Sequence, residues 1–301
     1  MEFKQVECFV AVARKCSFSK AADVLFLSQP AITSNIQKLE KELGIILFDR
    51  RNRNTTLTKG GEEFFPHALE ILNARDKAKM ALDPDNKKIE GVLEICASTI
   101  PEQYLLPHII KAFKEAYPQV LFSIRHKDSK EVAEEILVGK TNFGFIGAKY
   151  PNEGIKYIDF FEDRLVLITS PEKSFNTDSI SIKSLIGEEI VLREEGSGTR
   201  LLIERALKEK KLDINIFKSR TINYSLEALK KMVALNIGIS FASDISVKCE
   251  VASGRLKQYE IEDLNLNRHF SLVYCNNRYL SPVEEKFKDF VAAWKWNNID
   301  I

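Results

Sequence analysis

The stretch SFSKAADVLFLSQPAITSNIQKLEKELGIILFDRRNRNTTLT, residues 17–58, decides the architecture of the N-terminal part of the chain. It holds two short helical patterns, a tight turn between them, and a basic, Thr/Asn-rich tail. Ala21, Ala22 and Leu25 belong to the first helix, and its small residues let a second helix approach closely. Ile32, Ile36, Leu39 and Leu43 recur at helical spacing along the second. Ser28 is placed to cap that helix, and Pro30 falls in its first turn, where a missing N–H costs little. The outward set reads as Gln29, Thr33, Ser34, Asn35 and Lys38: short hydrogen-bonding side chains and one cation, the equipment of a helix that enters a DNA major groove. The pattern alone also fits an ordinary helical pair with a polar outer face. The next segment tips the balance. Residues 47–58 read as a hairpin whose tip carries Arg50, Arg51 and Arg53, with Asp49 the only acid nearby, so a cationic wing would lie beside the helix and hold flanking phosphates or enter the minor groove.

The order of residues closely resembles the LysR-type transcriptional regulators. The resembling pieces are Phe9-Val10-Ala11-Val12-Ala13, Ser17-Phe18-Ser19 with Ala21-Ala22, Ser28-Gln29-Pro30-Ala31, Leu39-Glu40 with Leu43-Gly44, Leu47-Phe48 with Arg50 and Arg53, and Leu57-Thr58 with Gly61-Glu62. Cys16 departs from the Gly usual before the Ser-Phe pair. The resemblance implies a winged helix-turn-helix over residues 1–60, with Ser28, Gln29, Pro30, Thr33, Ser34, Asn35, Lys38, Arg50, Arg51 and Arg53 at the DNA. It also implies a linker and dimerisation helix over 61–88, then an α/β effector domain like a periplasmic binding protein over 89–301. The expected subdivision is 89–162 plus 267–301 for one subdomain and 163–266 for the other.

Composition agrees with a local rather than a global nucleic-acid footprint. The chain has 301 residues and a formal net charge of +1, so any DNA contact must come from a patch such as the wing. The N-terminus enters an amphipathic pattern directly, without a charged leader and apolar core, and no apolar run approaches the length of a membrane span, so the expectation is a cytoplasmic protein. Cys8, Cys16, Cys96, Cys249 and Cys275 are scattered and never form a CxxC, which argues against a disulfide framework or a thiolate zinc site.

Phe64, Phe65, Ala68, Leu69, Ile71 and Leu72 give the helix after residue 59 a broader apolar face than a small head is expected to cover, which suggests a partner helix. Asp83-Pro84-Asp85-Asn86-Lys87-Lys88 is turn-rich and marks the domain boundary. Strand and helix patterns then alternate to the end of the chain and predict α/β sheets with mostly parallel neighbours.

In open α/β sheets ligands gather where strands end and helices begin. Three segments have that form with small polar residues: Ser98-Thr99, Ser197-Gly198-Thr199-Arg200, and Thr221 with Asn223; Gly147 adds a fourth strand end. Helix N-termini and hydroxyls there would suit a small anion or carboxylate, with Arg200 as a candidate cation and Glu194 and Glu195 hinting at a ligand that also carries an amine. Each segment could equally be routine helix capping. Residues 190–200 and 99–107 resemble regulators of sulfur assimilation or selenium metabolism, which makes a sulfur compound a candidate effector. No nucleotide-binding, triad or metal-ligand spacing stands out, so neither an enzyme nor a cofactor is expected. A solute-binding or enzymatic α/β protein is the competing class, but it leaves the first sixty residues unexplained. The resemblance implies a homodimer or dimer of dimers on an inverted-repeat operator, in contact with RNA polymerase and more often activating than repressing, controlled by a small-molecule effector.

Overall fold

Local capping residues bound the first three helices. In the computed structural model, which describes residues 1–49, 55–82, 89–276, 278 and 280–296, α1 spans Phe3–Lys15, α2 Phe18–Leu25 and α3 Gln29–Leu43. The Ser17 hydroxyl accepts from the Lys20 N–H to cap α2, and the Ser28 hydroxyl accepts from the Ala31 N–H to cap α3. Gly44 ends α3 in the left-handed region, at φ 71°. Cys16 ends α1 in the same region, at φ 48°, a position that favours glycine; this is the physical content of the departure at Cys16. Val6, Phe9, Val12, Ala21, Ala22, Ile32, Ile36 and Leu39 close the core.

The predicted hairpin has two short arms, β1 (Phe48–Asp49) and β2 (Thr56–Leu57), paired Phe48↔Leu57 and Asp49↔Thr56. Glu40 of α3 fixes its root by accepting from the Leu47 N–H at 2.8 Å. Arg50, Arg51 and Arg53 at the tip lie outside the described residues, as do residues 83–88. Helix α4 (Lys59–Ala81) differs from expectation on one point. Phe65, Ala68 and Leu69 are buried in the head's own core, while Phe64, Ile71 and Leu72 are only partly covered. Phe9 is the reason: its ring lies 5.1 Å from Phe64 and 6.2 Å from Phe65 and draws the first turns of α4 inward. Arg75 of α4 also donates to Glu7 of α1 at 2.5 Å.

The chain divides into two compact units, residues 1–91 with 277–286 and residues 92–276 with 287–301. The second unit is built from β3 (Gly91–Ala97) from Val92 onward, α5 (Leu106–Ala116), β4 (Val120–His126), α6 (Ser129–Leu137), β5 (Phe143–Ile146), β6 (Ile155–Thr169), β7 (Ser179–Ile180), β8 (Glu189–Arg193), α7 (Gly198–Glu209), β9 (Ser219–Asn223), α8 (Leu226–Ala234), β10 (Ser240–Ser243), α9 (Lys248–Ala252), β11 (Lys257–Ile261), β12 (Asn267–Cys275) and the part of α10 (Pro282–Ala292) from Phe287. The main sheet runs β4-β3-β5-β12-β6-β11-β7, with β10 also on β6; β8 and β9 form a separate pair.

Strand neighbours are mixed rather than mostly parallel. β3–β5 and β8–β9 are parallel, but β6 is antiparallel to β12, β10 and β11, and β12 is antiparallel to β5. The cause is β6, fifteen residues long, which passes from one group of strands to the other. Its N-terminal part, Ile155–Arg164, pairs with β12; its end, Leu165–Thr169, pairs with β10 and β11. The changeover is marked by a buried ion pair. Arg268 of β12 donates from Nε to Asp163 of β6 at 2.8 Å, and Ser243 of β10 donates to the other carboxylate oxygen at 2.7 Å. Helices cover both parts. Gly144 lets α6 lie directly on β5, since a Cβ there would meet Val132 at 2.2 Å.

All five cysteines are free; Cys8 and Cys96 are buried and Cys16 and Cys249 exposed. Burial, with nearby Glu135, pushes the Cys96 thiol up to about 12. Alkylation of the native protein at pH 8 is therefore expected to label Cys16 and Cys249 well before Cys96, read by peptide mass spectrometry; rapid labelling of Cys96 would contradict the buried placement. Asp163→Asn leaves Arg268 buried without its counter-charge and should cost about 3–5 kcal/mol in urea unfolding. Glu260→Gln, which breaks the exposed Arg164–Glu260 pair, should cost less than about 1 kcal/mol.

Candidate DNA-reading head and ligand cleft

On α3, burial of Ile32, Ile36 and Leu39 fixes which residues turn outward. Ser28, Gln29, Pro30, Ser34, Gln37, Lys38 and Lys41 are exposed. Thr33 is half-buried, its hydroxyl donating to the Gln29 carbonyl at 3.0 Å. Asn35, like Thr33, stands at the edge of the outward set rather than within it. It lies on the flank, half-buried, with its amide donating to the Ala31 carbonyl at 2.9 Å. Gln37 takes its place, three residues after Ser34 on the same face, and that spacing was readable in the sequence. Gln29 is held from outside the helix: its Oε1 accepts from the Ser19 hydroxyl at 3.0 Å. Beside it runs a groove of ≈ 640 Å³ lined by Lys15, Ser17, Ser19, Lys20, Gln29 and Thr55 among others. The groove brings two cations, several hydroxyls and the N-terminus of α2 together, a surface suited to phosphate oxygens.

In the second unit, three chain segments that begin helices converge. Ser98 and Thr99 lead from β3 into a π-helix over Pro101–Leu105 that continues as α5. Asp128 and Ser129 begin α6, and Ser197–Thr199 begin α7. They meet at a small cleft also lined by Gly147, Arg193, Glu194, Arg268 and Phe270. Six of the residues expected from the sequence are therefore brought together: Ser98, Thr99, Gly147, Ser197, Gly198 and Thr199. The approach is close. A Cβ on Gly198 would lie 3.1 Å from the backbone of Gly147 and 3.1 Å from the Ser129 hydroxyl, and the open space at the centre is ≈ 20 Å³.

Three expected residues are elsewhere. Arg200 turns away, donating to Glu204 at 2.7 Å and reaching Glu195 at 3.6 Å. Position i+4 on α7 offers it a carboxylate, which a helix surface makes the near partner. Thr221 is exposed on β9, and Asn223 closes the turn ahead of α8 by accepting from the N–H of Ser225, the residue that caps that helix, at 2.7 Å. The cations of the cleft are instead Arg193 and Arg268. Arg193 donates from Nε and Nη2 to the two oxygens of Glu194 at 2.8 and 2.7 Å, and from Nη2 to Thr99 at 3.2 Å. Arg268 donates from Nη1 to Thr199 at 3.3 Å and stacks over Phe270 at 4.5 Å. Its Nη2 is buried without a hydrogen-bond partner among the described residues.

Two tyrosines bridge segments across the same region. Tyr150 donates to the Gly196 carbonyl at 3.1 Å, and burial, with the charge of Asp128 adding to it, pushes its hydroxyl up to about 12. Tyr104, on the π-helix, donates to the Ser246 carbonyl at 3.3 Å and accepts from Lys230 at 3.4 Å. Burial alone would lower the Lys230 ammonium, but Glu227 at 2.7 Å and Glu250 at 2.9 Å outweigh it and hold it above its ordinary range. Among the described residues, no group of three or more His, Cys, Asp or Glu is placed to hold a metal ion, and no helix is long and apolar enough to cross a membrane.

Comparison with known proteins agrees with both halves of this description. Residues 3–62 match the family described as "Bacterial regulatory helix-turn-helix protein, lysR family", and residues 86–296 match "LysR substrate binding domain". The HTH-type transcriptional activator CmpR of Synechocystis sp. is 29% identical over 290 residues, covering 96% of this chain and 94% of CmpR. Among solved structures, a full-length OxyR variant from Pseudomonas aeruginosa superimposes with a TM-score of 0.79 at 20% identity, covering 97% of this chain and 93% of that one. The regulatory domain of Synechocystis CcmR, solved in complex with 2-PG, gives 0.63 at 24% identity, covering 69% and 99%. With a helix-turn-helix head at its N-terminus and an α/β effector-binding unit after it, the chain belongs to the LysR family of DNA-binding transcriptional regulators.

Proposed function

We propose that the exposed face of α3 reads an inverted-repeat operator from the major groove, that the wing and the Lys15/Lys20 groove hold the flanking phosphates, and that a small polar effector in the cleft sets the DNA-bound state. The observation that carries the reading is the exposed run Gln29, Ser34, Gln37 and Lys38, presented by a helix whose opposite face is fully buried and flanked by a cationic groove. Base edges need short donors and acceptors on a rigid support, and phosphates need cations beside it.

The cleft serves as a binding site rather than a catalytic one. Two guanidiniums, hydroxyls and an α7 N-terminus that Ser197 does not cap through its side chain all favour an oxyanion, carboxylate or sulfur-containing anion. Binding would shift the balance between two arrangements of the second unit, and through homo-oligomers with paired linker helices would change the spacing of the heads and their contact with RNA polymerase. Activation in the cytoplasm is the expected mode.

Gln29→Ala and Gln37→Ala should relax sequence preference by about 1–3 kcal/mol per lost base contact. Arg53→Ala should weaken binding evenly across sequences and lower the salt slope by about 1. An Arg53→Ala titration with unchanged affinity and slope would remove the wing from the interface. Thr99→Ala should leave operator affinity within about twofold while blunting the change produced by sulfate, thiosulfate or 2-PG in the same titration. An identical response in wild type and variant would exclude Thr99 from the effector site.

A further inference from the structure

We propose that Glu194 is a built-in competitor for the effector, occupying the oxyanion-binding edge of Arg193 so that a ligand enters the cleft by exchanging with this carboxylate. The proposal rests on reading the cleft as the effector site, and it adds the class of ligand and the way it is admitted.

Arg193 is the last residue of β8 and Glu194 the first residue beyond it. Neighbours on a strand point to opposite faces, but the chain turns here, with Gly196 at φ 89°, and both side chains end up in the cleft. They are among the least exposed charged groups of the unit, at 5% and 7%. The edge formed by Nε and Nη2 is the one a carboxylate, phosphate or sulfate grips in bidentate fashion. Here both nitrogens are on Glu194, at 2.8 and 2.7 Å. The strongest anion-binding edge in the cleft is therefore filled by the protein's own carboxylate.

The charges around it make this filling decisive. Arg193 and Arg268 are opposed by Glu194 and Asp163, and Asp128 adds a further carboxylate to the wall. An incoming anion meets no excess positive charge while Glu194 remains in place. Space gives the same result. The ≈ 20 Å³ open at the centre is enough for about one water, not for a ligand of several heavy atoms. Withdrawal of the Glu194 carboxylate supplies room, a positive charge and a bidentate edge together. Without a ligand, withdrawal would leave a buried guanidinium unpaired, which is strongly unfavourable, so the carboxylate stays. The exchange thus favours ligands able to take over both hydrogen bonds: carboxylates, phosphates and sulfur oxyanions. A neutral sugar or alcohol cannot replace the charge. Arg268, with Nη2 buried and unpartnered, is the second cation within the same cleft.

The test uses the full-length protein and isothermal titration with sodium sulfate, inorganic phosphate and 2-PG at constant ionic strength, against glycerol as a neutral probe. Glu194→Gln removes the competing charge and should bind at least one oxyanion about tenfold more tightly than wild type, with no gain for glycerol. Adding Arg193→Met should abolish the gain. Glu194→Asp, which keeps the charge but shortens its reach, should show a smaller gain, and it carries the test if Glu194→Gln does not fold. Oxyanion affinities equal to or weaker than wild type in the Glu194 variants, including no binding by any of them, would overturn the proposal. In that event Thr99→Ala separates the two levels. If it weakens oxyanion binding by the wild-type protein, the cleft remains the effector site and only the role of Glu194 falls; if it changes nothing, the reading of the cleft falls as well.

Discussion

Strand β6 is the constraint on which the second unit depends. Its fifteen residues are hydrogen-bonded to β12 over the first part and to β10 and β11 over the last, so neither group of strands can form its sheet independently of the other. The return path lies alongside, with the Leu165 N–H donating to the Leu266 carbonyl at 3.0 Å. Asp163 and Arg268 occupy the point where pairing changes from one group to the other. The walls of the cleft draw on both parts of the unit: Gly147 follows β5, which pairs with β12, while Glu194 and Ser197 follow β8 of the separate β8–β9 pair.

Much of the head was legible because its determinants are local. Ser17 and Ser28 cap helices by hydrogen-bonding residues three positions on, Gly44 ends α3, and the 3.6-residue rhythm of Ile32, Ile36 and Leu39 names the buried face without reference to the rest of the fold. The misplacement of Asn35 shows the resolution of such reading. A residue at the edge of the polar arc can bond its own helix instead of facing solvent, and only coordinates show that it does. The extra cover over α4 likewise came from Phe9, some fifty-five residues earlier in the chain, whose ring has no sequence signal toward Phe64 and Phe65.

The cleft was half legible for the same reason. Ser98, Thr99, Gly147 and Ser197–Thr199 announce themselves by being small, polar and next to helix starts. Arg193, Arg268 and Asp163 do not. They stand inside strand patterns, where a charged residue ordinarily marks a solvent face. Arg268 is buried against a partner a hundred residues away, Asp163, while Arg193 pairs with its own neighbour Glu194, which a regular strand would send to the opposite face, and with distant Thr99. The first half of β6, from Ile155 to Asp163, is hard to read as a strand on similar grounds. Its acids Asp159, Glu162 and Asp163 look like loop residues until Ser271, His269 and Arg268 appear opposite them on β12. Arg200 was the converse error, a cation beside a promising turn whose carboxylate partner stood one helical turn away.

The hydrogen bond from Ser19 to Gln29 has a consequence for how the head distinguishes bases. A glutamine side chain is ambidextrous: rotated by half a turn about its last bond, it exchanges an acceptor for a donor pair. Ser19 donates to Oε1 in this arrangement, and because a serine hydroxyl also accepts, it can hold the amide in either orientation. On the proposed reading, the amide in this orientation presents its donors to acceptor atoms such as the purine N7, guanine O6 and thymine O4, and rotated it presents its acceptor to the amino groups of adenine and cytosine. A hydroxyl on α2, outside α3, thereby steadies the position of the amide while leaving it able to read either kind of base edge.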